Sequence, residues 1–251
     1  MSARSRLPEP PLRLPGRVPN GLFVTGTDTG AGKTVVAAAI AAALAEQGKR
    51  VAVFKPVITG TAEPVEGPPD DLLLAASARS PQERPEVATY RFSPPVSPHL
   101  AARLAGVRIE RSTLLDSACR AAAGADVLVV EGVGGLMVPL RDDYLVRDFA
   151  IDLGLPLIVA APPGLGTINH CLLTVAAARA ADLDVSGVVL TPWPDEPSEM
   201  ELSNLVTVAT IGAVEVATLG PVYTGPPISP AGHLPIERWL SRQPPGVPAA
   251  A

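Results

Sequence analysis

A glycine-rich run, Gly26-Thr-Asp-Thr-Gly-Ala-Gly-Lys-Thr34, is the part of the sequence whose chemistry is most readily recognised. In a strand-to-helix turn of this type, backbone N–H groups and the helix N-terminus attract phosphate oxygens. Lys33 then reaches the β- and γ-phosphates, and the Thr34 hydroxyl is a ligand for Mg²⁺. The spacing is unusual, because five residues rather than four separate Gly26 from Gly32. The run nevertheless follows an apolar segment and opens an Ala-rich one, which predicts a P-loop.

Two further charged residues could complete a nucleotide site. Glu131 follows the apolar run DVLVV, and a carboxylate at the carboxyl end of a parallel strand can hold Mg²⁺. The alternative for Glu131 is a solvated residue at a strand end. Lys55 ends a second apolar run, and Pro56 restricts it to an extended backbone. We expect Lys55 to project past the sheet edge and stabilise a transferring phosphoryl group, although lysines at strand ends are more often surface residues.

Asp70 and Asp71 lie just before the apolar residues of a predicted helix. Their position is typical of a helix N-cap and first turn. We expect one of the two to have that capping role, while the other points into the site as a metal ligand.

The elements that must position these groups follow from short apolar runs that alternate with longer Ala/Leu runs. Strands are predicted at 21–26, 50–54, 126–130, 157–160, 187–190 and within 218–222, and helices at 34–47, 71–78, 98–104, 112–122 and 168–181. The alternation predicts an α/β fold with a doubly wound, mostly parallel sheet, helices on both faces and a P-loop after the first strand.

The 251 residues are enough for one sizeable α/β domain. Residues 1–19 are rich in Pro and Arg and are interpreted as a disordered extension, and residues 20–224 as the P-loop domain. Residues 225–251 are interpreted as a Pro-rich tail with one possible short helix at 236–240.

Composition argues against several other classes of protein. The formal net charge of -5 disfavours nucleic acid as a partner, because phosphate backbones require a basic face. No apolar run reaches the roughly 18 to 20 residues of a membrane span. The two cysteines, Cys119 and Cys171, are too few for a disulfide framework or a CxxC metal site. A cytoplasmic protein that binds neither membrane nor nucleic acid is therefore expected.

Five segments, VTGTDTGAGKT, FKPVITG, SPHLAA, VVEGVGGLMVPL and GTINH, occur in this order between residues 21 and 222. Together they resemble the dethiobiotin synthetase family. The resemblance implies a ligase of biotin biosynthesis that closes a ureido ring on 7,8-diaminononanoate with CO₂, ATP and Mg²⁺. It also implies a homodimer with the substrate carboxylate bound at the subunit interface.

The resemblance further implies roles for individual residues. Lys33, Lys55 and Thr29 would be catalytic, with the two lysines flanking the carbamate and the γ-phosphate. Nucleotide contacts would come from Gly30, Ala31, Gly32, Lys33, Thr34, Val35, Glu131, Gly132, Val133, Gly134, Thr191, Pro192, Gly220, Pro221 and Val222. Mg²⁺ would be held by Thr34, Glu131 and Asp71, with Asp70 as the alternative to Asp71.

Substrate contacts are implied for Thr59 and Ser97 and for a segment of the neighbouring subunit that comprises Gly166, Thr167, Ile168 and Asn169. This segment opens a predicted helix, whose N-terminal amides can bind a carboxylate. An ordinary capped helix is the alternative for the segment, and Ser97 has the same alternative as an N-cap before Pro98.

Two departures from the family pattern bear on the nucleotide. Gly30 follows Thr29 where the family often has a Glu. Thr191-Pro192-Trp193 stands where the family often has an Asn that contacts adenine. We therefore expect a relaxed base preference. A partition or metal-chaperone ATPase is the alternative function, but such proteins lack both KPVxTG and the anion-binding helix.

Overall fold

The computed structural model describes residues 20–64, 67–221 and 233–241. The strands are β1 (Gly21–Gly26), β2 (Val51–Ile58), β3 (Ala88–Arg91), β4 (Val127–Gly135), β5 (Pro139–Arg141), β6 (Tyr144–Leu145), β7 (Leu157–Ala161), β8 (Val185–Leu190) and β9 (Val216–Thr218). The helices are α1 (Lys33–Glu46), α2 (Asp70–Ser77), α3 (Arg84–Val87), α4 (Pro98–Leu104), α5 (Arg111–Ala121), α6 (Val146–Leu153), α7 (Thr167–Arg179), α8 (Glu199–Gly212) and α9 (Ile236–Leu240).

Seven strands form one sheet in the order β3-β2-β4-β1-β7-β8-β9. All neighbours in this sheet are parallel, and β5 and β6 form a separate antiparallel hairpin. After β1 the chain forms β2, β3 and β4 on one side of that strand. It then crosses over to form β7, β8 and β9 on the other side. This topology confirms the predicted doubly wound α/β fold, and it makes the carboxyl end of β1 a switch point where ligands bind.

The central strand β1 is apolar because both faces of the sheet are covered. Its side chains alternate between two cores. Phe23 packs in one core, where its ring centroid lies 6.0 Å from that of Phe149 on α6. Leu22 and Val24 pack in the other core, against α1. Ten of the 14 residues of α1 are buried, so this helix and the loop before it are fixed firmly on the sheet.

Strand β2 is longer than predicted, and Lys55 lies within it rather than at its end. The expected strand 50–54 continues to Ile58 because β3, which was not predicted, pairs Lys55 with Ala88 and Val57 with Tyr90. Before β3 begins, the side-chain amide of Gln82 binds both the N–H and the carbonyl of Val53. Gln82 thus takes the place of a neighbouring strand beside Val53, and β3 takes over from Lys55 onward.

Strand β4 also extends past its predicted end, so that Glu131 lies within the strand. The last strand forms at Val216–Thr218 rather than within 218–222. Helices α3, α6 and α8 and strands β5 and β6 were not predicted. The signal for α8 was present, since Ser198 and Glu201 form a capping box at its start.

The short helix predicted at 236–240 is present as α9, and it belongs to the core rather than to a separate tail. Trp239 is fully buried, and a Cβ added at Gly187 on β8 would lie 3.0 Å from its ring. The predicted extension 1–19 and residues 225–232 and 242–251 of the predicted tail lie outside the described residues. Within the parts of the chain that are described, no helix has the length and apolar character needed to cross a membrane.

Candidate functional site

A cleft of about 570 Å³ opens at the carboxyl end of β1, β2 and β4. Most of the residues predicted for the nucleotide and substrate sites line it. These are Thr29, Gly30, Gly32, Lys33, Thr34, Val35, Lys55, Thr59, Ser97, Glu131, Gly132, Val133 and Gly134. The parallel sheet brings them together, because the carboxyl ends of its strands meet at one edge.

The loop between β1 and α1 has the backbone geometry that its glycines require. Gly30 has φ of 76° and Gly32 has φ of 85°, values that side chains disfavour. A Cβ at Gly32 would also lie 2.5 Å from Cγ2 of Thr191. No side chain of the described residues caps α1. The amides of its first turn are therefore available to an anion.

Three charged side chains meet at the floor of the cleft. The β2–β4 register pairs Phe54 with Val130, so the next residues, Lys55 and Glu131, lie side by side. Lys55 Nζ lies 2.6 Å from Glu131 Oε1 and 2.5 Å from Asp70 Oδ2. The hydroxyl of Thr34 donates to the same Glu131 oxygen at 2.9 Å. The lysine is thus held between two carboxylates of different elements.

The two lysines of the cleft differ in electrostatic environment. Burial lowers the pKa of Lys33 below its ordinary value, although Glu131 opposes this shift. Burial acts in the same direction on Lys55, but the charges of Glu131 and Asp70 outweigh it, and the pKa of Lys55 is raised. Lys55 therefore remains an ammonium at neutral pH. The Nζ of Lys33 donates to the carbonyl of Asp28 at 2.8 Å, which keeps it within the phosphate loop.

The oxygen atoms around Lys55 fit a Mg²⁺ ion. Oε2 of Glu131 is buried and has no hydrogen-bond partner in the described part of the chain. The Thr34 hydroxyl binds the other oxygen of the same carboxylate, and the Asp70 carboxylate shares the ammonium of Lys55 with it. Mg²⁺ prefers such hard oxygen ligands and commonly combines one or two carboxylates with phosphate oxygens and water.

The expectation that Asp71 is the metal ligand does not fit the structure. Asp71 is fully buried and does not line the cleft, whereas Asp70 does. The carboxylate of Asp71 accepts hydrogen bonds from Nε of Arg84, at 2.7 Å, and from Arg91. Successive residues of a helix point about 100° apart, so only one of this pair can face Lys55. The alternative carboxylate, Asp70, is the one at the cleft.

The described residues among those predicted near the base do not line the cleft. Thr191 is buried beside Gly32, and Pro192 is exposed. The N–H of Trp193 donates to the carbonyl of Leu219 at 2.8 Å, which brings Thr191 and Pro192 close to Gly220 and Pro221. Val222 lies outside the described residues. Ala31 is buried within the phosphate loop and does not line the cleft either.

The predicted carboxylate-binding segment, which begins α7, is not part of this cleft. Gly166 caps the helix with φ of 93°, and Asn169 is exposed. Ile168 is partly buried against the core, and Thr167 is buried with its hydroxyl 3.5 Å from the sulfur of Cys171. The side-chain amide of Asn204 on α8 holds the preceding loop through the carbonyls of Pro163 and Gly164.

Sequence reasoning missed the apolar wall of the cleft. Its members are Val57, Ile58, Pro95, Val96, Pro98 and Val138. The proline-rich segment that precedes α4 was a possible signal, because such a segment restricts the backbone and forms rigid loops. Its place opposite the phosphate loop depends on the pairing of β2 with β3. That pairing was not apparent from local pattern.

The sequence of the chain is similar to those of known proteins. A family model described as an AAA domain matches residues 20–219. A curated protein of Bacillus thuringiensis named ATP-dependent dethiobiotin synthetase BioD is 39% identical over 207 residues, which are 82% of this chain and 85% of that protein. Proteins of the same name from Bacillus cereus and Bacillus anthracis are 40% and 38% identical over 207 residues with the same coverage.

A solved structure, chloroplast FtsY from Physcomitrella patens, is 16% identical with a TM-score of 0.43 and covers 91% of this chain and 66% of that one. A likeness of this degree supports no assignment. The curated relatives show the family, because the sequence identity of about 40% extends over more than four fifths of the chain. The chain therefore belongs to the dethiobiotin synthetase family.

Proposed function

We propose that the protein closes the ureido ring of dethiobiotin from 7,8-diaminononanoate, CO₂ and ATP, as an ATP-dependent ligase of biotin biosynthesis. The observation that carries the proposal is the meeting of Lys33, Lys55, Glu131 and Asp70 at one cleft beside a P-loop. The names of the relatives that are about 40% identical support the same activity.

The reaction has three steps. One amine of the substrate attacks CO₂ and loses a proton, which gives a carbamate. A carbamate oxygen then attacks the γ-phosphorus of ATP, and ADP leaves. The second amine attacks the carbonyl carbon of this mixed anhydride and loses a proton, phosphate leaves, and the five-membered ring closes. The second and third steps each bring a nucleophile and an anionic leaving group close together, so that positioning and charge stabilisation are the main tasks of the protein.

The cations of the cleft are suited to the phosphoryl transfer. Lys33, within the loop, would contact the β- and γ-phosphates, and the amides at the start of α1 would hold the phosphates with it. Lys55 would contact the carbamate and the γ-phosphate from the opposite side. Thr29 would contact the reacting groups, and Thr59 and Ser97, which also line the cleft, would contact the substrate.

A bound Mg²⁺ ion would neutralise charge on the phosphates of ATP. Thr34, Glu131 and Asp70 would hold it, since their oxygens lie together at the cleft. Gly132, Val133 and Gly134, which line the cleft on the β4 side, would contact the nucleotide.

A homodimer is part of the proposal. Leu165, just before α7, is 96% exposed, and Leu173, in the middle of that helix, is 61% exposed. Val206 and Ile211 on the adjacent α8 are also more than half exposed. Burying such side chains between two subunits is favourable, at about 25 cal/mol for each Å² removed from water. It would bring the Gly166–Asn169 segment of one subunit toward the substrate of the other, in the cytoplasmic location expected from the sequence.

The test is formation of dethiobiotin by the purified full chain with diaminononanoate, bicarbonate, ATP and Mg²⁺, with each component omitted in turn. We expect product only in the complete mixture, with one ADP and one phosphate released per ring closed. ATP hydrolysis that does not depend on diaminononanoate, without dethiobiotin, would contradict the proposal and favour a partition-type ATPase. Light scattering of the eluted protein measures the mass, which for a dimer is twice 25.8 kDa.

A further inference from the structure

Asp71 is a buried carboxylate outside the cleft, and its two partners come from different elements. Arg84 begins α3 and places Nε 2.7 Å and Nη2 3.3 Å from the carboxylate oxygens. Arg91 ends β3 and donates to the same carboxylate. The side chain of Asp71 is wholly inaccessible to solvent, whereas those of Arg84 and Arg91 are 45% and 29% exposed. The carboxylate thus joins α2 to α3 and to the edge strand.

Besides Asp71, the first turn of α2 is anchored by the buried side chain of Leu73 and by the ion pair between Asp70 and Lys55. The residue that precedes the helix is Pro69, and no side chain in the described parts of the chain caps the exposed N–H groups. Asp70, the first residue of the helix, has a side chain that is 40% exposed. Its one hydrogen bond among those described is to Lys55. The partly exposed carboxylate of Asp70 is thus held by one ion pair, with the buried ammonium of Lys55.

The neighbouring residue, Asp71, supplies a further constraint. Asp70 and Asp71 share one turn of rigid backbone, so fixing the carboxylate of Asp71 fixes the direction of Asp70. Both guanidinium groups are paired with Asp71. Loss of the negative charge of Asp71 would leave part of the hydrogen bonding of these two groups unmet and would loosen the link from α2 to α3 and β3.

We propose that Asp71 is a positioning residue, which holds the first turn of α2 so that Asp70 stays at the cleft beside Lys55 and within reach of Mg²⁺. The inference rests on the metal-binding role of Asp70 that is part of the proposed function. Asp71 acts through Asp70 and touches neither metal nor nucleotide. Two adjacent aspartates thus have different roles: Asp70 is the metal ligand and Asp71 positions it.

The experiment measures how strongly Mg²⁺ tightens nucleotide binding, by calorimetry of a non-hydrolysable ATP analogue with and without Mg²⁺. For Asp71→Asn we expect the Mg²⁺ requirement to rise by about tenfold or more, since outer groups that orient metal ligands typically contribute 10- to 100-fold. Binding in the presence of a chelator should change by less than about twofold. Asp126→Asn, which removes the exposed partner of Arg50 at the other end of the sheet, is the control and should leave both values unchanged.

A double-mutant cycle separates positioning from general structural damage. If Asp71 acts through Asp70, then Asp70→Asn combined with Asp71→Asn should require no more Mg²⁺ than Asp70→Asn alone. Additive losses would overturn the inference, as would Asp71→Asn with a wild-type Mg²⁺ requirement. The inference would also be overturned if Mg²⁺ did not tighten binding of the ATP analogue to the wild-type protein. Should Asp71→Asn not fold, Arg91→Lys, which keeps the charge but loses the planar donor fork, should give an intermediate effect. Wild-type values in Arg91→Lys would count against the inference.

These results can be told apart from failure of the proposed function. Wild-type protein that binds Mg²⁺ and nucleotide cooperatively but forms no dethiobiotin would contradict the proposed reaction and leave the role of Asp71 standing. An Asp71→Asn variant that forms dethiobiotin and has the wild-type Mg²⁺ requirement would contradict the role of Asp71 and leave the proposed reaction standing.

Discussion

The ammonium of Lys55 lies 2.6 Å from the carboxylate of Glu131 on the adjacent strand, and both side chains are buried. Lys55→Met should therefore reduce stability as well as activity, because it leaves Glu131 as an uncompensated buried charge. Breaking such a pair from one side typically costs about 3 to 5 kcal/mol. Urea unfolding at neutral pH measures this loss.

The matched variant is Lys55→Met combined with Glu131→Gln. It should recover part of the free energy of unfolding and none of the dethiobiotin formation, because the charge that must be compensated is gone but the catalytic cation is still missing. A single Lys55→Met variant that unfolds at the wild-type urea concentration would show that Glu131 is not ionised in the folded protein.

Lys33→Ala should reduce kcat/KM for ATP by about 100-fold or more, by analogy with the roughly 3 kcal/mol that one lost donor to a developing charge costs. Lys33 is held in the phosphate loop by its bond to the carbonyl of Asp28. Lys49→Ala, at an exposed position after α1, is the control and should leave the rate unchanged. Equal rates for the two variants would remove Lys33 from the phosphate site.

The base preference should be relaxed. A base is discriminated when the wrong one leaves a buried polar group unpaired, at a cost of about 1 to 3 kcal/mol. Here Thr191 is short and packs its methyl group toward Gly32, and Pro192 has no N–H. We expect GTP, CTP and UTP to support dethiobiotin formation within about tenfold of ATP, since 1.4 kcal/mol is one decade. A preference for ATP beyond about a hundredfold would point to backbone groups near Gly220.

Trp239→Ala should destabilise the domain by about 3 to 5 kcal/mol, the usual cost of truncating a buried aromatic residue. Trp239 is fully buried and packs over Gly187, so its removal leaves a cavity beside β8. Leu104→Ala is the control at a residue that is 63% exposed, and it should change the free energy of unfolding little. Similar urea midpoints for both variants would show that α9 does not contribute to the core.

The stability that Asp71 contributes should depend on pH. Burial by itself raises the pKa of Asp71, but Arg84 and Arg91 outweigh it and hold that pKa below its ordinary value. The contribution is therefore complete above the unfolded-state pKa of about 3.9 and is lost as pH falls through the folded-state value. The difference in free energy of unfolding between wild type and Asp71→Asn should be constant from about pH 7 to 5 and shrink below about pH 4. A difference that grows on acidification would contradict this sign.

Local pattern in the sequence determined the parts of the protein that depend on neighbouring residues. Strand β1 and helix α4 have their predicted bounds, and the phosphate loop lies between β1 and α1 as expected. Strand and helix periodicity, glycine requirements and phosphate-loop chemistry are all set within about ten residues of chain. The α/β alternation also predicted that Lys55 and Glu131 would reach one edge of the sheet.

The tertiary structure decided which side chains meet. Lys55 lies inside β2 because the distant strand β3 pairs with it, and no local signal marks that pairing. Asp70 and Asp71 have the same chemistry and adjacent positions, and the choice between them is made by Arg84 and Arg91, which bind one carboxylate and leave the other to the cleft. Trp239 likewise joins the core through contacts with a strand about 50 residues earlier. Contacts between segments far apart in the chain stabilise these arrangements. Local sequence pattern does not predict them, because it describes each segment separately.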